Sequence, residues 1–170
     1  SINLDTIYIT NEDYLTNFKA DIVVNNNEIK NLILSSQFST KEDLKLSIKT
    51  NSNNEKITDL FAGNAKPLVK KYDFIKGFDG GYLKLDSIEK NKVSNSNLKI
   101  FDFKLKEVPA LTKLLTLASL QGIADLLTGE GIRFNDLEMI FNNKNGLMTI
   151  EEIYSLGPSI SILMDGYIQK

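Results

Sequence analysis

The chain has 170 residues, 42% of them apolar, a formal net charge of −2, and neither cysteine nor histidine. That length and composition suit one structural module with a real core. The missing residues exclude thiolate and imidazole metal sites, disulfides and a Ser–His–Asp triad, and no cofactor is expected. Near-neutral charge and a single arginine, Arg133, leave no field or guanidinium cluster for nucleic acid.

Along the chain, the first third alternates apolar and polar residues in the two-residue period of strands. Ile7 and Ile9, Ile22 and Val24, Leu32 and Leu34, then Leu44, Leu46 and Ile48 carry the pattern. Asn25 to Asn27 and the polar run 49–54 separate these strands as turns. Residues 10–18 fit a helical turn or a loop equally well. A short amphipathic helix is predicted from Asn64 to Asp73, with Leu68, Val69 and Tyr72 inward. Its outward lysines, Lys66, Lys70 and Lys71, together with Lys76, are candidates for contact with anionic lipid head groups. A solvated charged face is the plainer reading of the same cluster. Gly80 and Gly81 open a strand running to Ile88.

In the next strand, Leu98 and Ile100 change phase to Phe101, Phe103 and Leu105, which predicts a bulge near Ile100. Between Ala110 and Thr128 there are eleven apolar side chains and two charges, Lys113 and Asp125. Leu111, Leu114, Leu115 and Ala118 follow helical spacing, Pro109 suits a first turn, and Gly129 suits a left-handed stop. A helix that is apolar nearly all round must be covered, whether by its own sheet, by a partner or by lipid. A second phase change separates Ile132 and Phe134 from Leu137, Met139 and Phe141. Asn145–Gly146 predicts a tight hairpin, and alternation resumes through Ile168.

The resulting expectation is an α+β fold. It comprises an antiparallel, twisted, groove-forming sheet, one long apolar helix over 109–128 and one short amphipathic helix. Residues 1–58 form a strand-repeat region continuous with residues 59–170, as one structural module. The candidate lipid-contacting residues are Leu111, Leu114, Leu115 and Leu126 with Phe101, Phe103, Met139 and Phe141. The same side chains would also serve as an ordinary core. Paired carboxylates offer little for catalysis: Glu151 and Glu152 diverge on a strand, and Asp136 and Glu138 share a face with nothing nearby to polarise a substrate. No enzymatic activity is expected.

From about Leu60 onward the order of elements resembles the C-terminal region of the AsmA-like family, which includes YhdP and the TamB relatives. The residues that carry the resemblance are Gly80–Gly81 before a strand, then Leu98 to Leu105. Pro109–Ala110–Leu111, Leu114–Leu115, Ser119, Gly122–Ile123 and Leu127 follow. Gly129–Glu130–Gly131–Ile132, Phe134, Asn145–Gly146–Leu147, Leu156–Gly157–Pro158–Ser159 and Gly166 complete it. The resemblance implies the periplasmic portion of an inner-membrane-anchored protein of the Gram-negative envelope. It further implies a non-enzymatic module handling phospholipid, the distal part of a conduit toward the outer membrane and in contact with it. The anchor would lie elsewhere in a longer parent, of which this chain reads as a piece. The competing expectation is a structural or protein-interaction module without lipid.

Overall fold

The structure is a computed structural model that describes residues 1–72, 77–106 and 129–169. Its strands are β1 (Ile2–Tyr8), β2 (Tyr14–Asn25), β3 (Glu28–Phe38), β4 (Asp43–Thr50), β5 (Lys56–Ala62), β6 (Phe78–Lys90), β7 (Val93–Leu105), β8 (Ile132–Lys144), β9 (Leu147–Leu156) and β10 (Ser161–Gln169). They form one ten-stranded antiparallel sheet in chain order, each strand bonded to its sequence neighbours.

Turn chemistry produces this order. Asn26–Asn27, Asn91–Lys92 and Asn145–Gly146 each place two consecutive residues at positive φ, from 50° to 82°. That is the geometry of two-residue hairpin turns whose twist matches the strands, and asparagine and glycine tolerate it best. Between β4 and β5 the Asn51 side-chain oxygen accepts the backbone N–H groups of Asn53 and Glu55, at 2.9 and 3.0 Å. In the ambiguous segment 10–18, the Thr10 hydroxyl accepts the Asp13 N–H at 2.9 Å and β2 begins at Tyr14. The segment is therefore a tight turn followed by strand.

Directly paired residues share a face, so the pairings define rows crossing the sheet. One row is apolar in every strand: Ile2, Ala20, Leu34, Leu46, Leu60, Leu85, Leu98, Met139, Ile153 and Met164. The parallel row Leu44, Ala62, Leu83, Ile100, Leu137, Ser155 and Ile162, apolar except for the buried Ser155, lies on the same, inner face. The outer face carries Lys45, Phe61, Lys84, Lys99, Glu138 and Tyr154 in one row, and Ser47, Asp59, Asp86, Asn97, Ile140 and Glu152 in the next.

The expected α+β class is corrected. The described residues form an almost wholly β structure, with one seven-residue helix, α1 (Lys66–Tyr72). The predicted helix over 109–128 lies outside the described residues. Strand alternation persists through β6 to β10, where the sequence reading expected the sheet to share the fold with that helix. The short helix is shorter than predicted but present. Asn64 accepts the Lys66 N–H at 3.2 Å, and Ala65 and Val69 are buried against the sheet.

Both phase changes occur, although the first has a different cause. Register between β6 and β7 runs unbroken from Phe78–Leu105 to Lys90–Val93, so no residue is inserted as a bulge requires. Instead Gly81 (φ 76°) and Asp102 (φ 54°) sit opposite each other in left-handed conformation. Ile100 and Phe103 therefore both face inward, and β8 makes the matching change between Phe134 and Leu137. Beyond the switch, Phe78, Phe103 and Phe134 stack with ring centroids 5.2 Å apart. A Cβ on Gly81 would stand 2.8 Å from the Phe101 carbonyl oxygen. Gly81→Ala is expected to cost about 1–3 kcal/mol, read as a lower urea midpoint with unchanged slope. An unchanged midpoint would show that the switch does not need glycine.

Candidate functional site

The fold leaves apolar area open on both faces: Ile33, Ile88 and Leu163 are 50%, 51% and 68% exposed on the outer face, while on the inner face the apolar character is graded along the strands. At one end α1 and the Phe78, Phe103, Phe134 stack form a closed core, with Phe103 and Phe134 each 2% exposed. Next comes the ten-strand apolar row, where Leu34, Leu46, Leu60, Leu85, Met139 and Ile153 are only half-buried. Beyond it Ile48, Thr58, Ser87, Ser96, Phe141 and Ile150 form a mixed row, in which the Ser87 and Ser96 hydroxyls bond at 2.8 Å. The far end, at the hairpin turns, carries Thr50, Lys56, Glu89 and Ser94. Within a strand the step is about 3.3 Å per residue, so six residues from Ala62 to Lys56 span about 20 Å from core to charge.

The structure separates the candidate lipid contacts. Met139 and Phe141 lie together on the half-buried inner face. Phe103 is on that side too but is sealed in the aromatic stack. Phe101 is on the outer face, its ring 4.8 Å from Tyr82, because the left-handed Asp102 reverses the alternation between Phe101 and Phe103. Leu111, Leu114, Leu115 and Leu126 lie outside the described residues. Sequence reading passed over Leu34, Leu46, Leu60, Leu85 and Ile153 as lining. Their alternation was visible, but the register that joins them into one row is a property of the turns between them.

Of the predicted head-group lysines, one is committed to a close local ion pair and a second lies near a carboxylate. Lys66 binds Asp79 at 2.7 Å and Lys70 lies 3.7 Å from Glu12; Lys71 is exposed, and Lys76 lies outside the described residues. Asp79 also accepts Lys106 at 2.7 Å. Hydrogen bonds from Lys106 and Lys66 outweigh its partial burial and lower its pKa from 3.8 to about 2. On the outer face Glu138 accepts Asn97 at 2.6 Å and Lys99 at 3.1 Å, which lowers its pKa and keeps it charged. Glu151 accepts Asn142, and Arg133 pairs with Glu130 at 3.1 Å. Among the described residues no group of acidic side chains is arranged to hold a metal ion. No helix among them is long and apolar enough to cross a membrane.

No protein-family model, no curated protein and no solved structure matches the chain.

Asp79 couples α1 to β6 and to Lys106, and its depressed pKa gives the coupling a pH dependence. Its contribution is complete above the unfolded value near pH 4 and is lost as pH falls toward 2. Allowing for solvent screening, it is about 1 kcal/mol. Asp79→Asn is expected to remove that part of the acid destabilisation, measured by urea unfolding at pH 2 to 6. Parallel pH profiles for the variant and the parent would contradict it.

Proposed function

We propose that this chain binds the apolar chain of an amphiphile, a phospholipid in the reading its resemblance gives, along the inner face of its sheet, and catalyses no reaction. One observation carries the reading: an apolar row continues through all ten strands, and although Leu98 in it is buried, Leu34, Leu46, Leu60, Leu85, Met139 and Ile153 keep part of their surface open. A single contiguous apolar surface that folding leaves partly open marks a binding surface more than a core. Each methylene placed on it contributes about 0.8 kcal/mol, with no need for directional contacts. A row of leucine, isoleucine and methionine therefore favours a long chain over any particular chemistry. The envelope setting belongs to the same proposal: a periplasmic portion, an inner-membrane anchor in the parent protein and contact at the outer membrane. It rests on the resemblance alone.

A second reading has an observation of its own. Edge strand β10 exposes Leu163 and Tyr167 on the outer face, at 68% and 74%, beside Met164 and Ile168 on the inner face. A strand apolar on both sides has the composition of a sheet interior, which favours pairing with another polypeptide.

Protein purified without detergent is expected to carry phospholipid in native mass spectra. Leu60→Asn is expected to weaken lipid binding roughly fivefold, about 1 kcal/mol, with the fold retained by circular dichroism. Protein free of lipid that also takes up none when it is offered would refute the proposal.

A further inference from the structure

The turn ends of the β2–β3, β4–β5 and β6–β7 hairpins border a half-open hollow of about 550 Å³, lined by Lys30, Lys56, Lys92, Glu28, Glu89 and Ile48 among others. That volume is within the range of small-molecule sites. Three lysines against two glutamates leave it one positive charge in excess. Its position relative to the apolar row follows from the pairings. Lys56 and Glu89 are paired on the inner face, two residues beyond Thr58 and Ser87. Ile48 belongs to the mixed row beside Leu46 and also lines the cavity. The cavity thus borders the mixed row, one row beyond the apolar one, at the end opposite α1.

One of the three lysines already holds an anion: the Glu28 carboxylate binds Lys30 at 2.7 Å, and Lys56 and Lys92 line the same hollow. Glu28 is 69% exposed and begins β3 beside the Asn26–Asn27 turn. Its side chain can therefore turn into water without uncovering buried surface. Lys56 is held only loosely by Glu89, at 3.6 Å. Of the lysines of α1, Lys66 is held firmly by Asp79 at 2.7 Å at the closed end of the sheet, while Lys70 lies 3.7 Å from Glu12.

We propose that this turn-end cavity seats the anionic head group, of the phosphate class, of an amphiphile whose chain lies along the apolar row, with the ligand replacing Glu28 among Lys30, Lys56 and Lys92. The proposal rests on the lipid-binding reading above and adds to it a polarity: chain toward α1, head toward the hairpin turns.

The test is calorimetric titration of the full chain at low salt with three probes below micelle-forming concentration: dodecyl phosphate, neutral monododecanoylglycerol and inorganic phosphate. Dodecyl phosphate is expected to bind about tenfold more tightly than the neutral probe, and inorganic phosphate far more weakly than either. Replacing Lys30, Lys56 and Lys92 together by Gln is expected to abolish the preference and leave the neutral probe unaffected. Glu28→Gln is expected to strengthen dodecyl phosphate severalfold, a gain that a folding defect cannot imitate. Equal binding of the two amphiphiles, untouched by these substitutions, would overturn the head-group seat while leaving the apolar surface standing. Inorganic phosphate binding as tightly as dodecyl phosphate would make the cavity a free-anion site and overturn the link to the chain. Binding of neither amphiphile would overturn both.

Discussion

Alternation with a period of two, held in register from β3 to β8 and adjusted by bulges in the β2–β3, β8–β9 and β9–β10 pairings, is the constraint on which the rest of the structure depends. A slip of one residue in any strand would carry its leucines to the wet face and its lysines to the dry one. The hairpin turns prevent that slip. Asn26–Asn27, Asn91–Lys92 and Asn145–Gly146 fix two-residue loops whose backbone admits one pairing of the flanking strands. Local turn chemistry is thereby converted into a surface that no single strand contains. Leu34 and Met139 are far apart in the chain, yet they belong to one apolar row.

Along the strands a second gradient is superimposed on the first. The end with α1 is closed, because the paired left-handed residues Gly81 and Asp102 bring Ile100 and Phe103 to the same side. Three stacked phenylalanines then build a core against Ala65 and Val69. Asp79 ties that end together by holding Lys66 and Lys106 at once. Toward the turns, side chains shorten to Thr58, Ser87 and Ser96 and then become charged. An amphiphile laid along this face would meet the same order, hydrocarbon and then hydroxyl and charge, that it carries itself.

Much of the sheet was legible in the sequence, because strand alternation and asparagine-rich turns are local signals. Ile22 and Val24, Leu44 to Ile48, and the Asn145–Gly146 hairpin are where the pattern put them. The phase changes at Phe101 and Phe134 were also visible, but their cause was not. A left-handed Asp102 looks in sequence like an ordinary polar residue, and its partner Gly81 is distant in the chain. The same blindness misplaced Phe101, which the simple period assigns to the same face as Phe103. The α+β expectation came from weighting the helical spacing of residues 109–128 over the strands on either side. The α1 lysines suggested head-group contact because a basic helix face is easy to see. Glu12 and Asp79, which lie against two of them, approach from the first turn and from β6, and only the tertiary structure brings them there. Lys30, Lys56 and Lys92 were missed for the converse reason: three hairpins meet where no sequence window spans them.

The central claim is that hydrocarbon chains lie on the inner-face row. Methyl NMR of protein titrated with a protonated acyl-chain ligand reads it directly, through intermolecular nuclear Overhauser effects. The account predicts contacts to the methyl groups of Leu34, Leu46, Leu60, Leu85 and Met139, and none to Ile57 or Ile88 on the outer face. Contacts confined to the outer face or to the β10 edge, or the absence of any, would contradict it.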